Sequence, residues 1–108
     1  MKITMILCAA AAAAAFGAGA HAADAKAGEA LAKSSGCLAC HAVDKKLIGP
    51  SYKDIAAKYR GNKAAEADLV AKVKNGSKGV WGDIPMTANA HVKDEDIRAI
   101  VQWVLSMK

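Results

Sequence analysis

Five consecutive residues, Cys37-Leu38-Ala39-Cys40-His41, carry most of the chemistry available to this chain. Two cysteines two residues apart, followed at once by histidine, form the C-x-x-C-H attachment signature of c-type haem. The spacing has a mechanical reason. Two intervening residues bring both sulfurs to one edge of a porphyrin, where each can add to a vinyl group. The next residue is carried beneath the ring, so that its imidazole reaches the iron. Cys37 and Cys40 are therefore read as thioether links to one covalent haem c, and His41 as an axial iron ligand.

Three other chemistries use similar residues. A thioredoxin-like redox pair also has two cysteines at this spacing, but it sits beside a βαβ pattern, and none is visible here. A disulfide between Cys37 and Cys40 would close a very short, strained loop and stabilise little. A structural zinc site wants four ligands. Beyond the N-terminal stretch, only Cys37, Cys40, His41 and His91 are available, at irregular spacing.

Haem iron needs a ligand on its other face, or keeps an open position. Two methionines follow the motif, Met86 and Met107. Met107 is next to the last residue and reads as a packing or frayed side chain. Met86 follows Pro85, which fixes the backbone beside it, in a stretch carrying Gly79, Gly82 and Asn89. A thioether there would stabilise ferrous iron and raise the potential. His91 is the competing ligand, although a lone histidine ahead of a terminal helix is usually a solvated surface residue.

The elements that must position these groups are helical. Apolar residues recur at helical spacing with almost no two-residue alternation, which predicts an all-α domain. A first helix is expected over about 25–34, ended by Gly36. A second follows Pro50, with Ser51 as N-cap and Asp54 three residues on. It places Tyr52, Ile55, Ala56 and Tyr59 on one face and stops at Gly61. A third covers about 64–74, with Leu69, Val70 and Val73 inward. Residues 77–92 read as an irregular loop. The last helix begins near Asp94, with acidic residues at its positive end and a stripe of Ile97, Ile100, Val101, Val104 and Leu105.

The N-terminus reads as an export signal: Lys2, then an alanine-rich apolar run from Ile3 to Phe16, then small residues around Ala20-His21-Ala22. The run falls short of the roughly 20 residues needed to span a bilayer, so no permanent membrane anchor is expected. Cleavage after Ala22 would leave 23–108 as one domain. A domain of that size has a marginal core, which a bound haem would enlarge. Export agrees with the motif, because haem is attached to such sequences outside the cytoplasm, and the periplasm is the expected location. The chain carries 15 Lys and Arg against 10 Asp and Glu, a net charge of +5. Only Arg60 and Arg98 supply guanidinium groups and no binding motif appears, so nucleic acid is a poor partner.

At this point the residues match a known pattern. From about Lys26 onward the chain resembles the small bacterial class I cytochromes c of the cytochrome c-551 (cytochrome c8) type. The matching pieces are Gly36 to Ala42, Ile48-Gly49-Pro50, Tyr52 to Ala56, Lys74 to Ser77, Gly79 to Met86 and Trp103 to Ser106. The resemblance implies the class I fold, about four short helices wrapped around one haem. It implies His41 and Met86 as axial ligands and the Pro50 carbonyl as acceptor from the other ring nitrogen of His41. Trp81 would donate to a haem propionate, Asn89 would hydrogen-bond near the methionine sulfur, and Lys72 would lie near a propionate. Thr87 and Ala88 stand where relatives often carry prolines, and Ala32 where many place a bulkier residue.

The function expected is that of a periplasmic single-haem electron carrier, a monomer. It would move one electron from a quinol-oxidising complex or other donor to a terminal reductase or oxidase. Lys33, Lys45, Lys46, Lys72, Lys74 and Lys78 lie in segments expected around the haem, where they form either an ordinary solvated surface or a ring that would steer docking to acidic partner surfaces. The alternatives are a haem peroxidase or gas-binding protein with Met86 off the iron, and a cytochrome subunit dedicated to one enzyme complex.

Overall fold

A computed structural model describes residues 20–108, with side chains from residue 26 onward. The expected leader over residues 1–22 lies outside the described residues except for 20–22. Four α-helices follow one another: α1 (Ala20–Ser34), α2 (Tyr52–Tyr59), α3 (Ala65–Asn75) and α4 (Asp94–Leu105), with a short 3-10 turn at Cys37–Ala39 between the first two. The one β pairing among the described residues is an isolated antiparallel bridge between Ser77 and Met86. The domain is all-α, as the periodicity predicts. Helix α1 starts earlier than expected, at Ala20, because the residues ahead of Ala25 are rich in alanine, the strongest helix former.

Local signals explain the helix ends. Ser51 is extended, and its hydroxyl accepts from the Asp54 backbone N–H at 3.1 Å, which caps α2. Helix α4 has no side-chain cap at Lys93, and its first turn instead places Asp94, Glu95 and Asp96 at the positive end of the dipole.

Helix α4 is the centre of the packing, because its stripe serves two clusters. Ile100 and Val104 join Ala32 of α1 and Tyr52 of α2, with Trp103 and Met107 packed against them. Ile97 and Val101 join Val92, with Leu69, Val70 and Val73 of α3 alongside. Ile97 is fully buried, worth about 1.5–3 kcal/mol over leaving it in water. Helices α1 and α4 approach closely at Gly28, where a Cβ would overlap the Ala99 carbonyl oxygen and lie 2.5 Å from Trp103 Cβ. Ala32, also fully buried, keeps that crossing tight.

Candidate functional site

A cavity of about 700 Å3 lies between the inner faces of α2, α3 and α4 and the irregular stretches on either side of them. That size falls within the roughly 300–1,000 Å3 typical of cofactor sites. Its walls are largely apolar, including Ile48, Ile55, Leu69, Val73, Ile100 and Val104. All eight residues singled out from the sequence line it: Cys37, Cys40, His41, Pro50, Lys72, Trp81, Met86 and Asn89. A second cleft, about 470 Å3 between α3 and α4, contains none of them.

The cysteines and histidine are set by one tight turn. Gly36, at φ +80°, reverses the chain after α1. The 3-10 turn then runs Cys40 N–H to the Cys37 carbonyl at 3.2 Å and His41 N–H to the same carbonyl at 3.0 Å. Cys37 is half-buried, and burial pushes its thiol above the ordinary range, whereas Cys40 is exposed. The two form no disulfide. Among the described residues, no group of three or more His, Cys, Asp or Glu is arranged to hold a metal ion.

His41 is buried, and its ring is fixed in orientation. Nδ1 lies 2.7 Å from the Pro50 carbonyl oxygen. A carbonyl can only accept, so Nδ1 is the donor, and in the neutral ring Nε2 then keeps the lone pair that a metal requires. Backbone pairing brings Pro50 back to the motif, with Gly49 N–H on the Cys40 carbonyl at 2.7 Å and Tyr52 N–H on Ala42 at 2.9 Å. Tyr52 stacks on the imidazole at 5.2 Å between centroids and 22° between planes. Burial holds the Tyr52 phenol well above the ordinary tyrosine range, with the neighbouring thiols adding to the effect. Its buried hydroxyl has no partner among the described residues, so a polar acceptor reaching into the cavity would satisfy it.

Met86 enters the cavity from the loop between α3 and α4. Its N–H donates to the Ser77 carbonyl at 2.8 Å, and its own carbonyl accepts from Ser77 at 3.1 Å. Further along, the Asn89 backbone N–H donates to Val73 at 2.9 Å, while its side-chain amide donates to the carbonyls of Val73 and Thr87 at 3.4 and 3.2 Å. Those two bonds use both amide hydrogens, so a bond from Asn89 toward the Met86 sulfur would replace one of them. Met107 packs in the core beside α4, and His91 is exposed and away from the cavity lining.

Trp81 stands at the cavity rim, 42% exposed, with Lys58 Nζ 5.3 Å from its ring centroid. Lys72 pairs with Asp68 at 2.7 Å, and that hydrogen bond holds its ammonium above the ordinary lysine range. Of the other lysines expected around the site, Lys33 pairs with Glu29 at 3.4 Å and Lys74 with Asp94 at 2.9 Å. Lys45, Lys46 and Lys78 have no carboxylate at ion-pair distance among the described residues.

Two site residues escape sequence reasoning by role. Gly49 lies against the imidazole: a Cβ there would sit 2.6 Å from His41 Cε1 and 2.9 Å from Nδ1. Tyr52 reads as a core position on a helix face, and nothing in its spacing marks it as a lid over the imidazole. The Gly-Pro pair eight and nine residues past His41 is the signal that could have located the first.

Comparison with known proteins agrees with this geometry. Residues 25–108 match the family model for cytochrome c. Cytochrome c-551 of Pseudomonas aeruginosa is 55% identical over 80 residues, covering 74% of this chain and 76% of that protein. Cytochrome c-551 of Allochromatium vinosum is 54% identical over 77 residues, 71% of this chain and 82% of that one. The crystal structure of cytochrome c552 from Nitrosomonas europaea superposes with a TM-score of 0.72 at 49% identity, covering 74% of this chain and 99% of its own.

Proposed function

The chain belongs to the cytochrome c family, a small haem electron carrier with one covalent haem c, and from that premise we propose a periplasmic shuttle with named attachment and ligand residues. Cys37 and Cys40 hold the haem through thioethers, and His41 and Met86 bind its iron. The observation that carries this reading is the 2.7 Å hydrogen bond from His41 Nδ1 to Pro50, which presents Nε2 as a ligand inside a cavity that also contains Met86.

When bound, the haem supplies a one-electron ferric–ferrous couple. The protein supplies the rest. Pro50 and the stacked Tyr52 keep the imidazole in one orientation and raise its basicity. Ile55, Leu69, Val73, Ile100 and Val104 exclude water, which disfavours an added positive charge and so favours the reduced state. Trp81 and Lys72 stand where they can meet carboxylates at the rim, and Asn89 holds the loop behind Met86. His41 and Met86 would together hold the iron and leave no position for substrate, which suits electron exchange rather than catalysis.

The leader-like N-terminal sequence supports export. Lys45, Lys46 and Lys78, which have no ionic partner among the described residues, support docking to acidic surfaces of a donor and an acceptor. Optical spectra test the ligand set. The ferric protein is expected to show the weak red charge-transfer band of sulfur-ligated haem, and Met86→Ala to lose it and bind carbon monoxide when reduced. A low-spin ferric spectrum without that band would remove Met86 from the iron.

A further inference from the structure

The loop that delivers Met86 is pinned to the end of α3 at one residue, and we infer that Gly76 is the positioning residue for the axial sulfur. This rests on Met86 being the ligand. Gly76 adopts φ 84° and ψ 167°, a combination open essentially to glycine alone. A Cβ on it would sit 2.9 Å from the Met86 carbonyl oxygen and 3.1 Å from the Ala88 nitrogen. Both atoms are backbone, so no rotamer change relieves the contact.

The next residue completes the clamp. Ser77 and Met86 exchange two backbone hydrogen bonds, at 3.1 and 2.8 Å. The Met86 peptide is therefore held by residue 77 and abutted by residue 76. Thr87 and Ala88 provide none of the fixed φ that prolines would supply there, so the loop's stiffness past Met86 comes from these contacts and from Asn89 on Val73. A methyl group at position 76 must push the Met86 backbone off the bridge. A thioether delivered by a displaced backbone competes less well for the iron.

The test uses the ferric holoprotein, with imidazole as the competing ligand. Absence of the charge-transfer band from the unmodified protein would overturn the assignment of Met86, and the role of Gly76 with it. With the band present, Gly76→Ala is expected to weaken it at neutral pH and to bind imidazole at least tenfold more tightly. The apparent affinity of an incoming ligand scales with the fraction of molecules whose sixth position is open. Gly61→Ala is the control, since Gly61 has φ +80° but nothing within 4 Å of a Cβ. It carries backbone strain without touching Met86, and is expected to lower thermal stability while keeping the band and the imidazole affinity.

A Gly76→Ala protein with the original band and affinity, or one changed no more than Gly61→Ala, overturns the inference. Should Gly76→Ala fail to mature, amide hydrogen exchange of the unmodified protein decides. The Ser77 and Met86 amides are expected to be protected, and to lose protection together as imidazole displaces the sulfur. Rapid exchange of both with the band intact overturns the clamp.

Discussion

At the residue scale, His41 has three close neighbours: Pro50 accepts from Nδ1, Tyr52 stacks on the ring, and Gly49 lies against it. Gly49→Ala tests how little slack remains. A Cβ 2.6 Å from Cε1 must tilt the imidazole or move the chain, and overpacking of this kind costs typically 1–3 kcal/mol. Denaturant unfolding of the holoprotein should show a loss of about that size, together with a shifted reduction potential. Unchanged stability and potential would mean that the ring is not confined there. The C-x-x-C-H run was legible because its chemistry is local, five residues long and of fixed order. The imidazole's second contact was not legible from spacing, since the acceptor is a backbone carbonyl nine positions on and depends on how the chain returns. Only the resemblance pointed to Pro50.

At the element scale, α4 shows why the helices were readable. Its stripe falls on one face and is buried as the periodicity predicts, and the Ser51 cap and the irregular 77–92 stretch follow from residue type. The Ser77–Met86 bridge and the Gly28 crossing were not readable. A single pair of residues has no period, and a close helix approach depends on the partner helix. The loop's far end is tied by Lys74, whose ammonium donates to the Val92 carbonyl at 2.7 Å and pairs with Asp94 at 2.9 Å. The hydrogen bond from Lys74 holds the Asp94 carboxyl below its ordinary range. A depressed carboxylate contributes stability above its unfolded pKa, about 4, and loses it as pH falls through the lower folded value. Asp94→Asn should therefore be slightly less stable than the unmodified protein at neutral pH, the pair being exposed. That gap should close in acid below about pH 4. A gap that persists unchanged into strong acid would show that the ion pair is not its source.

At the scale of the whole molecule, the basic excess of the chain is not spread evenly in effect. Three of the six lysines expected around the site are already tied to Glu29, Asp68 and Asp94, so among the described residues Lys45, Lys46 and Lys78 are the three on which the proposed docking would rest. Two of the three pairings lie at i,i+4 and could be read from the sequence, whereas the third joins α3 to α4 and could not. Electron exchange with an acidic partner is expected to slow on the order of tenfold from low to high ionic strength. Lys46→Glu should slow it more than Lys33→Glu, because Lys33 is already partly neutralised. Stopped-flow rates that ignore both salt and these changes would remove electrostatic docking from the account.

The two sulfurs of one short turn, Cys37 and Cys40, should carry a porphyrin covalently. Intact mass spectrometry of the purified protein after acid–organic extraction measures that directly. The mass should exceed that of the polypeptide by one haem, and the adduct should map to the peptide containing Cys37 and Cys40. A bare polypeptide mass, with the pigment left in the organic phase, would contradict it.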